Sequence, residues 1–202
     1  MALLLSVLEQ GMIYGILALG VYITYKILDF PDLTVDGSFP FGAAITVRLI
    51  NGFGVPAILT LPIAFLGGAL VGICTGLIHV KLKVRDLLSG IIMMTGLYTI
   101  NLWVAGSGYV AIFDKDNIFN NSFVNSITPG FLVNFKNMII IFLITMVAKY
   151  LLDWYMSTKS GFLLRAVGDN DTIVTSLGVD KGLVKIVGLS IANGLVSLSG
   201  CI

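Results

Sequence analysis

The 202 residues are 57% hydrophobic and only 11% charged, with a mean hydropathy of +0.99, against the roughly 25% charged residues of soluble domains. That is the balance of an integral membrane protein, and a net charge of +1 excludes the clustered basic surface that nucleic-acid binders carry. One histidine, His79, and two cysteines in apolar stretches, Cys74 and Cys201, supply neither a metal-ligand spacing nor a disulfide framework.

The chain starts "MALLLSVLEQG", without a basic n-region or a small-residue cleavage site, so it reads as a retained span and not a signal peptide. A spanning helix needs about 20 mainly apolar residues. Residues 3–25, 56–77, 87–104, 137–152 and 185 to the end meet or nearly meet this length. A sixth stretch, 39–50, is too short unless its helix begins near Val35. The predicted fold class is therefore all-α: one polytopic transmembrane bundle of about six spans over residues 1–202. Small residues recur at helical spacing, Gly11 and Gly15 in "GMIYG", and Gly68, Gly72 and Gly76 in "GALVGICTG". They predict close helix packing, because lipid offers no hydrophobic force between helices. Glu9 and Gln10, in the outer third of the first span, read as structural or interfacial.

Between the first two spans lies "FPDLTVDGSFPFGAA", residues 30–44, with Asp32 and Asp36 one helical turn apart, Asp29 just before, and Pro31 and Pro40 as helix breakers. A lone Asp at mid-bilayer costs about 2.5 to 3.5 kcal/mol on insertion scales, so these carboxylates must face water, a cavity or a partner. Pro31 biases Phe30 away from helix and predicts the end of the first span; Asp32, Thr34 or Asp36 can cap the second. Two readings stay open, an inner turn shaping a gate, or a partly re-entrant segment lining a solute path, which irregular backbone permits only beside water or protein. Asp32, Thr34, Asp36, Gly37 and Phe39 are the residues concerned in either. A catalytic carboxylate dyad is disfavoured, because it needs burial and convergence that one wet turn does not supply.

Basic residues orient the spans, since cytoplasmic loops carry the Lys/Arg excess. Lys81, Lys83 and Arg85 cluster in one loop, and Lys149, Lys159, Arg165, Lys181 and Lys185 cluster around another. Both loops are predicted inside and the N-terminus outside, with Arg48 as an exception. The segment 105–135, rich in Asn, Ser and aromatic residues, reads as an outer loop lying against the membrane.

The inner loop 157–184 is punctuated for short helices. Residues 162–167 can form one closed by Gly168 in the left-handed conformation. Asp169 or Asn170 can cap a second over 171–177, Gly178 can end it, and Asp180 can cap the last span. By itself this pattern fits an ordinary capped loop or a docking element for a soluble partner. The last segment, "KIVGLSIANGLVSLSGCI", is still apolar at Ile202, which reads as a bundle cut short.

The stretch "SGFLLRAVGDNDTIVTSLGVDKGLVKIVGLSIANGLVSLSG" resembles the cytoplasmic loop and following helix of the membrane permeases of ABC importers in the branched-chain amino acid and ribose group. Gly161, Arg165, Ala166, Gly168, Asn170, Leu177, Gly178 and Val179 match, as do Leu198 and Gly200, while Val174 stands where the family usually has Ala. "EQGMIYGILALGVYITYKILDFPDLTVDGSFPFGAA" resembles a subgroup found beside binding proteins for amino acids, including aromatic ones. The resemblance runs from Glu9 to Gly200. It implies a permease subunit, paired as a homodimer or pseudo-dimer in a bacterial cytoplasmic membrane, moving an amino acid by alternating access. It also implies a cytoplasmic ATPase docked on residues 171–177, Ile173 among them, and an external substrate-binding protein. ATP and Mg would be held by the ATPase, leaving this chain without a cofactor and without enzymatic activity of its own. In keeping with that, "GSG" at 106–108 lacks the Gly-Lys-Ser/Thr ending of a phosphate-binding loop. A sugar-importing ABC permease and an ion-coupled secondary transporter are the alternatives; the latter should show a second broken span, and the later spans contain none.

Overall fold

The computed structural model describes residues 2–106, 119, 135–176 and 178–202. The predicted outer loop falls almost wholly outside them, as does Leu177. All regular structure among the described residues is helical. Helix α1 (Ala2–Tyr22) runs on into a π-helical turn, Ile23–Ile27. Then come α2 (Val35–Phe53), α3 (Ala57–Leu82), α4 (Asp86–Ala105), α5 (Lys136–Met156), α6 (Lys159–Asp169), α7 (Asp171–Ser176) and α8 (Lys181–Cys201). Five stretches, α1 with its π turn, α3, α4, α5 and α8, are long and apolar enough to cross a membrane. The shorter apolar run of α2, interrupted by Pro40, is the sixth long helix, and it begins at Val35 as the sequence predicts.

Helix α8 is the centre of the bundle and the most buried of the five apolar spans. Its small residues, "GLSIANGLVSLSG", leave a surface on which other backbones can lie. Helix α3 packs on it antiparallel: Gly68 meets the Asn193 carbonyl and Ser197, Gly72 the backbone of Leu189 and Ser190, and Gly76 meets Ile186. A Cβ on Gly72 would collide with backbone atoms. From the other sides α1 brings Gly20 against the Ala192 carbonyl, and α2 brings Gly42 against the Ser197 backbone. Helix α4 lies outside α2, and α5 outside α1. The main apolar cluster sits at the end of the bundle where the basic loops lie. It joins Ile23, Ile27, Leu28 and Phe30 to Leu152 and Met156 of α5, Leu164 and Val167 of α6, Val174 of α7, and Val184 and Leu189 of α8.

Three expectations need correction. At Gly11 and Gly15 a Cβ would meet nothing within 4 Å, so these glycines pack on no other described element; Gly20 is the glycine of α1 that meets the α8 backbone. Gly168 does not end its helix in the left-handed region. Helix α6 continues to Asp169, and Gly168 is needed inside it because a Cβ there would strike the Ile27 carbonyl. The first span stops before Pro31 acts: Leu28 N–H returns to the Ile23 carbonyl, Asp29 takes a left-handed φ of 50°, and Phe30 N–H bonds the Thr24 carbonyl. Gly178, at φ 73°, does follow α7 in the left-handed conformation, and Asp180 caps α8 by accepting from Gly182 N–H at 2.8 Å. Thr158 caps α6 by accepting from Gly161 N–H, a cap the sequence reading missed.

The packing predicts opposite outcomes for two glycines on spanning helices. Gly72→Val forces α3 from α8 and should cost at least the 1 to 3 kcal/mol or so typical of overpacking. Gly11→Ala meets open space and should be neutral or stabilising by up to about 1 kcal/mol through helix propensity. Thermal unfolding of the purified protein in detergent checks both.

Candidate functional site

The connection between α1 and α2 lies inside the bundle. Leu28, Phe30, Asp32 and Thr34 are each at most 2% exposed. Non-helical backbone at such depth needs protein partners for its polar groups, and those partners come from α3 and α8. Asp32 folds back so that its Oδ1 accepts from Thr34 N–H at 2.8 Å. Its Oδ2 accepts from Asn193 Nδ2 on α8, also at 2.8 Å. Asn193 Nδ2 donates a second bond to the Leu189 carbonyl at 3.1 Å, and its Oδ1 accepts from Ser38 Oγ at 2.6 Å. Thr34 Oγ1 and Thr75 Oγ1 of α3 lie 3.1 Å apart. The amide orientation of Asn193 follows from chemistry, because a carboxylate only accepts and therefore requires the NH2 group.

This seam reaches deep. Asn193 is 12 residues beyond Lys181, roughly 18 Å along a helix that rises about 1.5 Å per residue. Gly37 packs against Met94 and Leu97 of α4, and its carbonyl accepts from Asn101 Nδ2 at 3.1 Å. The stretch is thus inserted toward the middle of the bundle and is not a turn at its surface. Asp32 is buried where a wet turn was expected, and the physical reason is its amide partner on α8.

The other residues singled out from sequence separate into three places. Asp36, in the first turn of α2, is exposed, so the two carboxylates do not converge as a dyad. Pro40, four residues on, has no N–H to offer the Asp36 carbonyl. Phe39 stacks on Tyr14 of α1 with ring centroids 6.1 Å apart. At the basic end Gly161 is buried against Tyr155 and Met156, Ala166 packs on the main cluster, and Arg165, Asn170 and Gly178 are exposed. Ile173 lies within α7. Val174, the departure from the resembled pattern, is fully buried and packs in that cluster.

His79 marks the same end. Its Nδ1 lies 2.9 Å from the Val84 carbonyl and 3.1 Å from Asp86 Oδ1, and its ring meets Phe30 edge-on at 5.1 Å. It ties the α3–α4 turn to the broken segment, and no group of three or more potential metal ligands forms among the described residues. An apolar groove of about 710 Å³ between α3, α5 and α8, lined by Phe65, Leu66, Val147, Leu151, Ile191 and Leu195 among others, offers a polar solute nothing to bind. Sequence reasoning missed Asn193, Ser38 and Thr75. Asn193 had a signal: it is the single amide in the last span, and polar side chains within spans rarely lack a task.

A discontinuous spanning segment clamped inside a bundle of apolar helices defines a multi-pass membrane protein of the transporter kind. The family model described as branched-chain amino acid transport system / permease component matches residues 3–202. The chain belongs to this family, the permeases of ABC importers in the branched-chain amino acid and ribose group. It is 42% identical over 198 residues to a tyrosine transport system permease protein of Clostridioides difficile, covering 98% of this chain and 62% of that protein. It is 26% identical over 204 residues to the probable branched-chain amino acid transport permease protein LivH of Methanocaldococcus jannaschii, covering 96% and 64%. With the ribose import permease protein RbsC of Haemophilus influenzae it shares 25% over 200 residues, covering 98% and 59%. The chain therefore spans somewhat under two thirds of the length of these relatives. No solved structure matches it.

The seam makes a graded prediction. Ser38→Ala strips Asn193 Oδ1 of its donor in a buried site and should cost about 1 to 3 kcal/mol, whereas Thr34→Val should cost about 0.5 to 1.5, because Thr75 keeps its bond to the Val71 carbonyl. Paired unfolding curves of the two variants, taken in one detergent, read the order directly.

Proposed function

We propose that the chain is the translocating subunit of an ATP-driven importer that moves a small polar solute, an amino acid, across a bacterial cytoplasmic membrane by alternating access. The observation that carries this reading is the packing of α6, at the basic end, onto the residues that break the first span, with α7 lying against α6 and its Val174 in the same apolar cluster. A soluble ATPase docked on α7 and Arg165 then acts on an element in direct contact with the interrupted span. The excess of basic residues at that end supports a cytoplasmic location for it and an N-terminus outside. ATP and Mg belong to the ATPase, a substrate-binding protein delivers the solute from outside, and a second copy of the permease completes the path.

Asp36 supports a path along α2. It is an exposed carboxylate next to Gly37, which sits beside Leu97, and Leu97 is 11 residues into α4, roughly 17 Å at about 1.5 Å per residue. A charge exposed at that depth needs water or a partner. The amino-acid assignment draws on the name of the C. difficile relative, whose identity of 42% exceeds the 25% of the ribose permease. Alternating access follows if the ATPase binds the inward and outward states with different affinity, since only that difference shifts the equilibrium.

The test is uptake of labelled amino acids and ribose into proteoliposomes holding the permease with its ATPase and binding protein. ATP-dependent tyrosine or branched-chain amino acid uptake is expected; uptake that follows a proton or sodium gradient and ignores the ATPase overturns the importer, and ribose uptake alone overturns the solute. In the same system Arg165→Glu or Ile173→Pro should leave the protein inserted while reducing solute moved per ATP by about tenfold, within the range of typical coupling energies. Asp36→Asn should slow uptake without altering basal ATP hydrolysis. Wild-type uptake in that variant removes Asp36 from the path.

A further inference from the structure

The broken segment is held from two sides, and both holds belong to the same stretch of chain. On one side α6 presses against it: Gly168 leaves room for the Ile27 carbonyl and approaches Leu28, and Leu164 and Val167 share the apolar cluster with Ile27, Leu28 and Phe30. On the other side α8, whose first turn is capped by Asp180 directly after α7, carries Gly188 against Leu28 and Leu164 and then Asn193 against Asp32. Residues 27–38, α6, α7 and the first half of α8 are therefore one packed body. Within it Asn193 is the polar fastening, and it does what no other side chain of its size can do. It donates to a carboxylate and accepts from a hydroxyl at once, while a second N–H is returned to its own helix.

We infer that Asn193 is the positioning residue of this transporter: through its bonds to Asp32 and Ser38, displacement of the loop helices is carried to the break between α1 and α2. The coupling step rests on the importer reading above; the fastening itself does not. Asn193→Leu fills the space without either bond, leaving the Asp32 carboxylate one donor short. Asn193→Asp alone would set two carboxylates face to face, whereas exchanging the pair restores a donor on one side and an acceptor on the other.

The test uses the permease reconstituted with its ATPase and binding protein, and reads solute moved per ATP hydrolysed. Asn193→Leu should retain ATP hydrolysis within about twofold and lower solute per ATP by about tenfold, in line with typical coupling strengths. The double exchange Asp32→Asn with Asn193→Asp should recover solute per ATP to within about threefold of the wild type. Unchanged solute per ATP in Asn193→Leu overturns the inference. So does an equal fall in hydrolysis and transport accompanied by a lowered unfolding temperature, which is what a merely structural bond would give.

A second measurement decides the matter should Asn193→Leu fail to fold or the wild type show no ATP-driven uptake. In a Cys74→Ala, Cys201→Ser background, which leaves no native cysteine, Val35→Cys, at a site only 7% exposed, is labelled with a water-soluble maleimide in the permease alone. Adding Asn193→Ser should raise the labelling rate at least about fivefold by freeing the segment; equal rates overturn the fastening itself. Absence of ATP-driven uptake in the wild type, by contrast, counts against the importer reading and leaves this arm intact.

Discussion

A carboxylate taken out of water must find its donors in protein, and the arrangement of this bundle follows from how Asp32 finds them. One donor is local, the Thr34 N–H, and it shapes the turn into α2. The other is Asn193, 161 positions away in the sequence. Joining them requires α8 to run through the middle of the molecule, close to α2 on one side and to α3 on the other. The same amide then recruits Ser38, and Thr34 recruits Thr75. Irregular backbone is in this way made compatible with the interior of a membrane protein.

Such closeness is possible because α8 and its neighbours are lined with glycine and serine. Gly68 and Gly72 on α3, Gly42 on α2 and Gly20 on α1 all meet backbone atoms of α8. Ser197 donates to the Ala64 carbonyl at 2.8 Å and Ser199 to the Ile13 carbonyl at 2.7 Å, adding polar ties across α3 and α1. Short helix separations and interhelical hydrogen bonds replace the hydrophobic drive that lipid cannot supply. The large apolar residues are distributed differently: they gather at the basic end around Leu28, Phe30 and Leu164, where the two loop helices must be held without lipid on all sides.

The contrast between these two regions bears on function. The apolar end is a broad contact that tolerates sliding, since packing of this kind is non-directional. The polar seam is directional, and a bond between Asn193 and Asp32 is either made or broken. A body joined to the broken span by both kinds of contact can shift as a unit while keeping its register. The left-handed Asp29 beside the exposed Lys26 marks where this body meets solvent at the basic end.

Hydropathy alone located the spans to within a few residues, because a helix crossing lipid needs a length of apolar sequence that little else produces. The basic clusters, the Asp180 cap and the left-handed Gly178 were legible for a similar reason: each depends on near neighbours in the chain. The repeat of Gly68, Gly72 and Gly76 named a packing face, but identical spacing at Gly11 and Gly15 named one with no partner among the described residues, since spacing says that a face is smooth and not what lies on it. Gly168 misled in the same way; a glycine near a helix end suggested a left-handed stop, and the Ile27 carbonyl across from it supplied a different reason for the missing Cβ. What the sequence by itself determined is the membrane class, the order of the helices and the presence of a polar break. Only the tertiary structure decided that the break is buried, that Asp32 is inside while Asp36 is out, and that Asn193 is the partner, because those outcomes depend on contacts between residues far apart in the chain, and a helical periodicity carries no record of them.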